Sequence, residues 1–561
     1  MKQFFGTILI ILLGNSLWGQ SLDPQQEITT TLLITNANVI TRPGTLLTGH
    51  TILIKNGVIV DVAKTITPPA DAKVIKADSM FVYAGFIEAL SHTGIPKAEE
   101  KPQSREERRS NTSDPGNPTP EQAGITPQVV AFDLLNPKEG SISEMRKLGF
   151  TISNIVPRGK MLPGFSSIIN LKETPSKNDL LIQKQYGQNF QLSSAGRVYP
   201  STVIAVISKF KDLYQNASLL DKNLVAYQTN PLGKTRPNST DELAALIPVV
   251  RKSVPFFTVS EDIKALSKMQ SLQKELGFSN THVEVKFAHP YIQNLSKQTL
   301  LFSLDLPKET EAPKDTTKLT KERKDLEKKR NNTYAQYLGQ YGLFEKNGFT
   351  VGFSNLAGKT SDIHPNIRKM VKNGLSEQAA LAALTTLPAK ILGLEKVAGT
   401  IEKGKLGNLV ILDKNYFDEK SKIKYVVIEG QLFENKEKEK PKKDKEAKSS
   451  DESGGWAGKW TYSVDVMGQT MTGLITITGS DPDYEIVSIA DLDPSQQSTA
   501  TAIKVSGDIL EFQMSDEGPG GAIVLDFTFT KKGEEFEGIV KSSFGEFPIA
   551  GKRKPNQSSN Q

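Results

Sequence analysis

From Thr31 the apolar and polar positions follow a β rhythm. Thr31–Ile40, Ile52–Ile54 and Val58–Val62 read as strands, and Asn56-Gly57 supplies the positive φ angles of a type I′ hairpin turn. The rhythm returns far downstream, where Leu409–Leu412 is an apolar strand and Val426–Ile428, Glu429-Gly430 and Gln431–Phe433 repeat the hairpin pattern. Neither piece can bury a core alone. Paired, residues 28–80 and 396–435 would form one small β-sandwich split across the sequence.

Between them, over 81–395, strand-like and helix-like segments alternate. Ser141–Leu148 is helical and leads into the strand Phe150–Val156; Ser166–Leu171 is a further strand. Helical Asp241–Val250 precedes Val254–Val259, and amphipathic Glu261–Leu276 precedes Val283–Phe287. Leu300–Leu306 is a strand, Thr333–Lys346 is a helix before the strand Phe349–Phe353, and Ser376–Leu387 is a helix punctuated by Pro388. Repeated strand–helix units predict an α/β fold with a parallel sheet, and this many predict a closed (β/α) barrel. Two charged stretches interrupt it, Lys97–Pro120 and Lys308–Arg330, the second with a helical end at Lys321–Arg330; both read as solvated surface.

Lys436–Ser453 alternates Lys and Glu around Pro441, which predicts a linker over 436–455. Over 456–553 the pattern changes to short strands bounded by Gly, Asp and Pro: Trp456–Val466, Thr470–Thr478, Tyr484–Ile489, Thr501–Gln513, Ala522–Phe529 and Phe536–Lys541. This predicts an all-β domain, a sandwich or small barrel. Gly458-Lys459-Trp460 is similar to the GxW that opens lipocalin-type barrels, and Trp460 as a plain core plug is the competing reading.

Composition narrows the chemistry. With 561 residues, 37% of them hydrophobic, the chain has material for several cores. Its 69 basic and 63 acidic residues leave a net charge of only +6, which gives no sign of the concentrated basic face that nucleic acid requires. The Cys count of 0 excludes disulfides, thiolate nucleophiles, Cys-ligated zinc and the acylated Cys of a lipoprotein. Any His-based metal site must use His50, His92, His282, His289 or His364. Lys2, the apolar run Ile8–Leu13 and the small-residue exit at Asn15, Ser16 and Gly19 predict a signal peptide over residues 1–20, with a buried N-terminal strand as the competing reading. The expectation is export to the periplasm or medium without a lipid anchor. No later stretch is long and apolar enough to span a bilayer. There is no G-x-S-x-G elbow, P-loop, HExxH helix or dinucleotide fingerprint.

Residues 84–92, Ala-Gly-Phe-Ile-Glu-Ala-Leu-Ser-His, resemble the first barrel strand of the amidohydrolase superfamily, P-G-[LF]-I-D-x-H-x-H. Ile54–Ile59 resembles its opening hairpin. Asn373–Ser376, Ala379–Lys390 and Leu392–Leu394 resemble its last barrel helix, and Gly399–Lys405 with Asn408–Asp413 its return to the sandwich. The resemblance covers about 28 to 435 and is strongest to the exported, imidazolonepropionase-like branch. It implies a TIM-like (β/α)8 barrel with a split sandwich, and hydrolysis of non-peptide C–N bonds in small cyclic amide-like substrates by a divalent metal such as zinc.

The departures fall on the metal site. The family's two His of strand one correspond to Leu90 and His92, and its strand-eight Asp, both ligand and base, corresponds to Asn355. Asn is neutral, cannot act as base and ligates poorly. No His falls near Phe257–Ser260 for strand five; His289 is the candidate for strand six, and Lys184 one of several for the bridging Lys. At most His92 and His289 survive, fewer than the three protein ligands a hydrolytic zinc needs. The positions Leu90, His92 and Asn355 therefore read as an eroded site, with no resident metal expected. His364, with Asp362, is expected in a loop after strand eight as a substrate contact or a solvated residue; His50 and His282 read as structural, and Glu88 and Asp133 as isolated acids. Three functions remain open: a hydrolase of this family, a catalytically inactive barrel binding a small molecule or partner at its mouth, and a metal-independent enzyme using His92 with His289 or His364.

Overall fold

The computed structural model describes residues 31–97, 114–196, 198–307, 320–435 and 455–554, except 467–468, 481–482, 492–496, 519–520 and 543–544. Residues 1–20, expected to form a signal peptide, most of the expected linker and the middle of both charged interruptions lie outside the described residues. The chain divides into two compact units, residues up to 438 and residues from 439 onward.

In the first unit, eight strands from the two ends of the sequence form one sheet. Thr31–Arg42 pairs with Thr45–Lys55, Lys73–Lys76 and Phe81–Ala84; Leu409–Leu412 joins Phe81–Ala84 to Ile423–Ile428, and Gln431–Glu434 closes one edge. The two expected hairpins form at Asn56-Gly57 (φ 50° and 76°) and Glu429-Gly430 (φ 47° and 87°), the doubly left-handed turn that suits a twisted two-residue hairpin.

Eight interior strand segments follow in chain order. They are Phe86–Ser91, Phe150–Ile155, a bent third (Gly164–Phe165 with Ser167–Asn170), Gln188–Gln191, Phe256–Val259, Asn280–Val285, Thr299–Ser303 and Thr350–Ser354. The fourth to eighth are parallel neighbours, and the first pairs parallel to the second. The third runs antiparallel to the second through its latter half and to the fourth through its first half. At the opposite seam, Ser91 and Asn355 form a parallel bridge. Ile87, Leu90, Ile152, Phe257, Val283 and Leu301 are buried in one apolar cluster contributed by strands one, two, five, six and seven.

The helices start where capping side chains allow. Thr202 accepts from Ala205 N–H at the start of Val203–Thr229, Thr240 caps Asp241–Val250, Asp262 caps Ile263–Leu276 and Ser376 caps Glu377–Leu384. Val203–Thr229 is absent from the sequence reading, because its β-branched start (Val203, Ile204, Val206, Ile207) does not present a helical signature. Lys321–Arg330 and Thr333–Lys346 turn out to be one helix, Lys321–Lys346. Ser376–Leu387 is instead broken at Thr385, whose hydroxyl donates to the Leu381 carbonyl. Among the described residues no helix is long and apolar enough to cross a membrane.

The second unit is a nine-stranded antiparallel sheet in which the first strand, Gly458–Val466, pairs with the last, Gly545–Arg553. The expected strand Thr501–Gln513 is a hairpin, Thr501–Ser506 and Ile509–Gly518, turned at Gly507 (φ 62°). Gly545–Arg553 is not in the sequence reading; Pro548 and two glycines, Gly545 and Gly551, hide it. Trp456, Trp460, Phe529 and Phe536 are fully buried together. Trp460 Nε1 donates to the Trp456 carbonyl at 2.9 Å, and the Arg553 guanidinium lies 4.5 Å over the Trp460 ring. Trp460 is thus a core plug held at both its polar and aromatic surfaces.

Candidate functional site

His92 follows the first interior strand directly. Its Nδ1 is 2.9 Å from the Val156 carbonyl, which only accepts, so Nδ1 carries the proton and Nε2 is the open acceptor. Burial holds this imidazole down at about 4, with the Val156 contact opposing and Arg158 assisting, so the ring is neutral at pH 7. His92 lines a cavity of about 130 Å³ at the carboxyl ends of the interior strands, with Asn189, Gln191, Glu261 and Glu284 as its other polar walls. Carboxyl ends are where barrel chemistry is built.

Glu284, near the end of the sixth strand, is the residue that sequence reasoning missed. It is 1% exposed and carries a left-handed φ of 55°, unusual for a residue with a Cβ. Ser303 Oγ donates to its Oε2 at 2.7 Å, the Leu356 N–H donates to its Oε1 at 2.9 Å, and its own N–H donates to Ser354 Oγ at 2.9 Å. Strands six, seven and eight thus fix one carboxyl group. Burial pushes its pKa up, against the pull of those donors and of Lys286. Lys286 itself is tied to Asp305 at 3.0 Å. Glu88, on strand one, is fully buried, and burial together with the charge of Glu284 drives its pKa well above the carboxylate range. Its Oε2 has no hydrogen-bond partner. Glu88 is thus buried with one carboxyl oxygen unpartnered. The sequence signal for Glu284 was an acid set between Val283 and Val285 near the end of the strand Asn280–Val285.

Positions 90 and 355 meet at the seam: the Asn355 N–H donates to the Leu90 carbonyl at 3.1 Å. The Leu90 side chain is buried among apolar residues. The buried Asn355 Oδ1 has no partner and stands against Gly358, 2.4 Å from where a Cβ on that glycine would lie. His289 lies past strand six in a short 3-10 turn, its ring 4.6 Å from that of Phe287, its Nδ1 without a partner, and it does not line the His92 cavity. The structure does not bring His92 and His289 together there. Where the family's strand-five His would fall, Thr258 and Ser260 place their hydroxyls 3.1 Å from Nδ1 of the buried His282. His282 is also held down at about 4 by burial. Lys184 is half-exposed and pairs with Asp133 at 2.8 Å, which takes both out of the mouth. His50 places Nδ1 3.0 Å from the Thr48 carbonyl on a sandwich strand.

His364 corrects the loop expectation. It sits in the first turn of helix Ile363–Lys372, buried, with Nδ1 2.6 Å from Tyr416 Oη and Nε2 2.9 Å from the Leu148 carbonyl. Phe86, Phe150 and Tyr416 surround the ring. The apolar face of its helix draws it against the strand starts, so it is neither solvated nor a wall of the His92 cavity.

The family's divalent ion can be tested against these donors. Leu90 offers no lone pair and Asn355 no charge, which leaves His92, through Nε2, as the one imidazole ligand at these positions. Among the described residues no three of His, Asp and Glu are grouped to hold a metal ion. The donor set does not fit the ion.

Residues 364–433 match the model of the amidohydrolase family. No curated protein sequence matches the chain. An amidohydrolase from Thermotoga maritima MSB8 has a similar structure, with 22% identity and a TM-score of 0.57 over 72% of this chain and 100% of that one. A prolidase complexed with N-methylphosphonate-L-proline (16% identity, TM-score 0.42, 72% and 100% covered) and molinate hydrolase (14%, 0.39, 72% and 95%) also match. At those scores neither constrains the chemistry here. The split sheet and the mostly parallel α/β core agree with the fold of the Thermotoga maritima structure, and residues 364–433 are similar to the amidohydrolase family.

Proposed function

We propose that this protein uses a retained amidohydrolase barrel to bind a small molecule at its mouth, without the metal-assisted C–N hydrolysis of the family. The observation that carries the reading is the pairing of positions 90 and 355: an apolar side chain and a neutral amide stand where a ligand and a ligand-base are needed, while the cavity beside them keeps fixed polar groups. A hydrolytic metal site needs three protein ligands and an open position, and replacing a base by an amide removes the proton acceptor.

The reading includes a closed barrel. It is supported by the Ser91–Asn355 bridge at one seam and by hydrogen bonds from the bent third strand to both neighbours at the other. It also includes export, supported by the apolar run Ile8–Leu13 after Lys2.

Metal analysis by mass spectrometry, combined with assays on hydantoins and N-acyl compounds, tests it. The expected result is trace metal unchanged by His92→Ala and no turnover. Stoichiometric zinc, nickel or manganese that is lost in His92→Ala would overturn the reading.

A further inference from the structure

Resting on that reading of the mouth, the walls of the His92 cavity say which chemistry it accepts. Of the residues lining it, only His92, Asn189 and Gln191 carry side-chain N–H groups. All three are turned onto main-chain carbonyls. His92 Nδ1–H goes to Val156 O (2.9 Å), Asn189 Nδ2–H to Gly164 O (3.0 Å), and Gln191 Nε2–H to Gly159 O (2.7 Å) and Lys160 O (2.5 Å). What they leave to the cavity are chiefly acceptors, an imidazole Nε2 and two amide oxygens, beside the second N–H of Asn189.

Asn189 is the most telling of the three. It is 4% exposed and lines the cavity, and its Nδ2 is fixed by the Gly164 carbonyl, which leaves Oδ1 as an acceptor. An amide oxygen held in place this way can accept from a bound molecule that brings a donor. Glu284 adds a carboxyl group held from three strands, and the exposed Glu261 adds a second acid at the rim. Among the described residues, Lys286 is paired with Asp305 and Arg158 does not line the cavity. Left-handed backbone at a residue with a Cβ costs about 1–3 kcal/mol and persists where the surroundings demand it. Here it aims the buried one of the two carboxyl groups that line the cavity.

We propose that the barrel-mouth cavity is a binding site for a small organic cation rich in N–H donors, of the ammonium or amidinium type, held between Glu284, Asn189 Oδ1 and His92 Nε2. The volume of about 130 Å³ suits such a molecule and little more, since a water occupies about 30 Å³ of liquid.

Calorimetry on the full chain tests this with acetamidinium against acetate, which has the same shape and the opposite charge and offers no donor. Acetamidinium should bind and acetate should not. Glu284→Gln should weaken acetamidinium about tenfold or more, the loss expected for a charge-assisted hydrogen bond. Glu261→Gln, at an exposed position that cannot affect folding, should weaken it about twofold to threefold. Acetate binding as well as acetamidinium, no binding of acetamidinium, or unchanged affinity in a folded Glu284→Gln would each overturn the inference. None of these bears on metal content, so a metal-loaded protein would separately sink the reading beneath it.

Discussion

The Asn355 N–H donates to the Leu90 carbonyl, so the two positions that lack the family's ligands are joined through main chain. Strand pairing there does not depend on either side chain, and the seam can persist while the metal chemistry is lost. Leu90 is fully buried among Ile87, Ile152 and Leu301. Leu90→His would bury an imidazole without a partner, at a cost of about 1–3 kcal/mol. We expect its urea midpoint to fall in chelator. With Asn355→Asp added, zinc should raise the melting temperature of the double variant and leave the wild type unchanged. A zinc response in the wild type, or none in a folded double variant, would contradict this.

Glu284 combines a left-handed backbone with two donors that need its oxygens. The two demands can be separated. Glu284→Ala keeps the backbone strain and orphans Ser303 Oγ and the Leu356 N–H, and should cost about 2–4 kcal/mol. Glu284→Gly orphans the same groups and relieves the strain, so it should be about 1 kcal/mol more stable than Glu284→Ala, against the usual entropic penalty of glycine. Chemical denaturation of the pair decides it: a glycine variant less stable than the alanine variant would mean that the backbone at 284 is unstrained.

His92 was legible because a sequence motif has fixed spacing, and residues 84–92 carry it. Glu284 was not, because its role depends on contacts from Ser303 and Leu356, which lie 19 and 72 residues away. Its φ has no local signature such as Asn-Gly. The hairpins at 56–57 and 429–430 were legible for the opposite reason: two adjacent residues determine them. His364 was misplaced because the sequence shows its neighbour Asp362 but not Tyr416 or Leu148, which take both its nitrogens. Helix Val203–Thr229 was missed because packing of Phe210, Leu213, Ala217 and Leu220 overrides its β-branched start.

In the second unit Arg553 ties its guanidinium to the Ala457 carbonyl (2.9 Å), the Gly455 carbonyl (2.6 Å) and Glu534 (2.9 Å) while covering Trp460. A planar fork can make these contacts together, and an ammonium cannot. Arg553→Lys should therefore destabilise this unit by about 1–2 kcal/mol. Among the described residues the tryptophans are Trp456 and Trp460, so the loss should be read in the fluorescence transition. An unchanged fluorescence midpoint would remove the cation from the account of this core.

His364 makes the fold sensitive to acid. Its Nε2 faces the Leu148 carbonyl and so carries the proton, leaving Nδ1 to accept from Tyr416 Oη. Adding a second proton at Nδ1 breaks that bond and charges a buried ring, and burial holds the pKa at about 4. The unfolded value is about 6.5. As pH falls, the unfolded chain takes up the proton first, so stability is lost from about pH 6.5 down to about pH 4 and no further below it. The full loss from this residue is about 3 kcal/mol at 1.36 kcal/mol per unit. His92 and His282 act in the same direction. The raised carboxyls of Glu88 and Glu284 act oppositely, since they favour the folded state at low pH and that favour is lost as pH rises above about 4.5. His364→Gln isolates the term. The variant should be less stable than wild type at pH 7, and the gap should shrink or reverse by pH 4. Unfolding free energies at pH 7, 5.5 and 4 measure this, and a gap that stays constant would show that His364 does not titrate with folding.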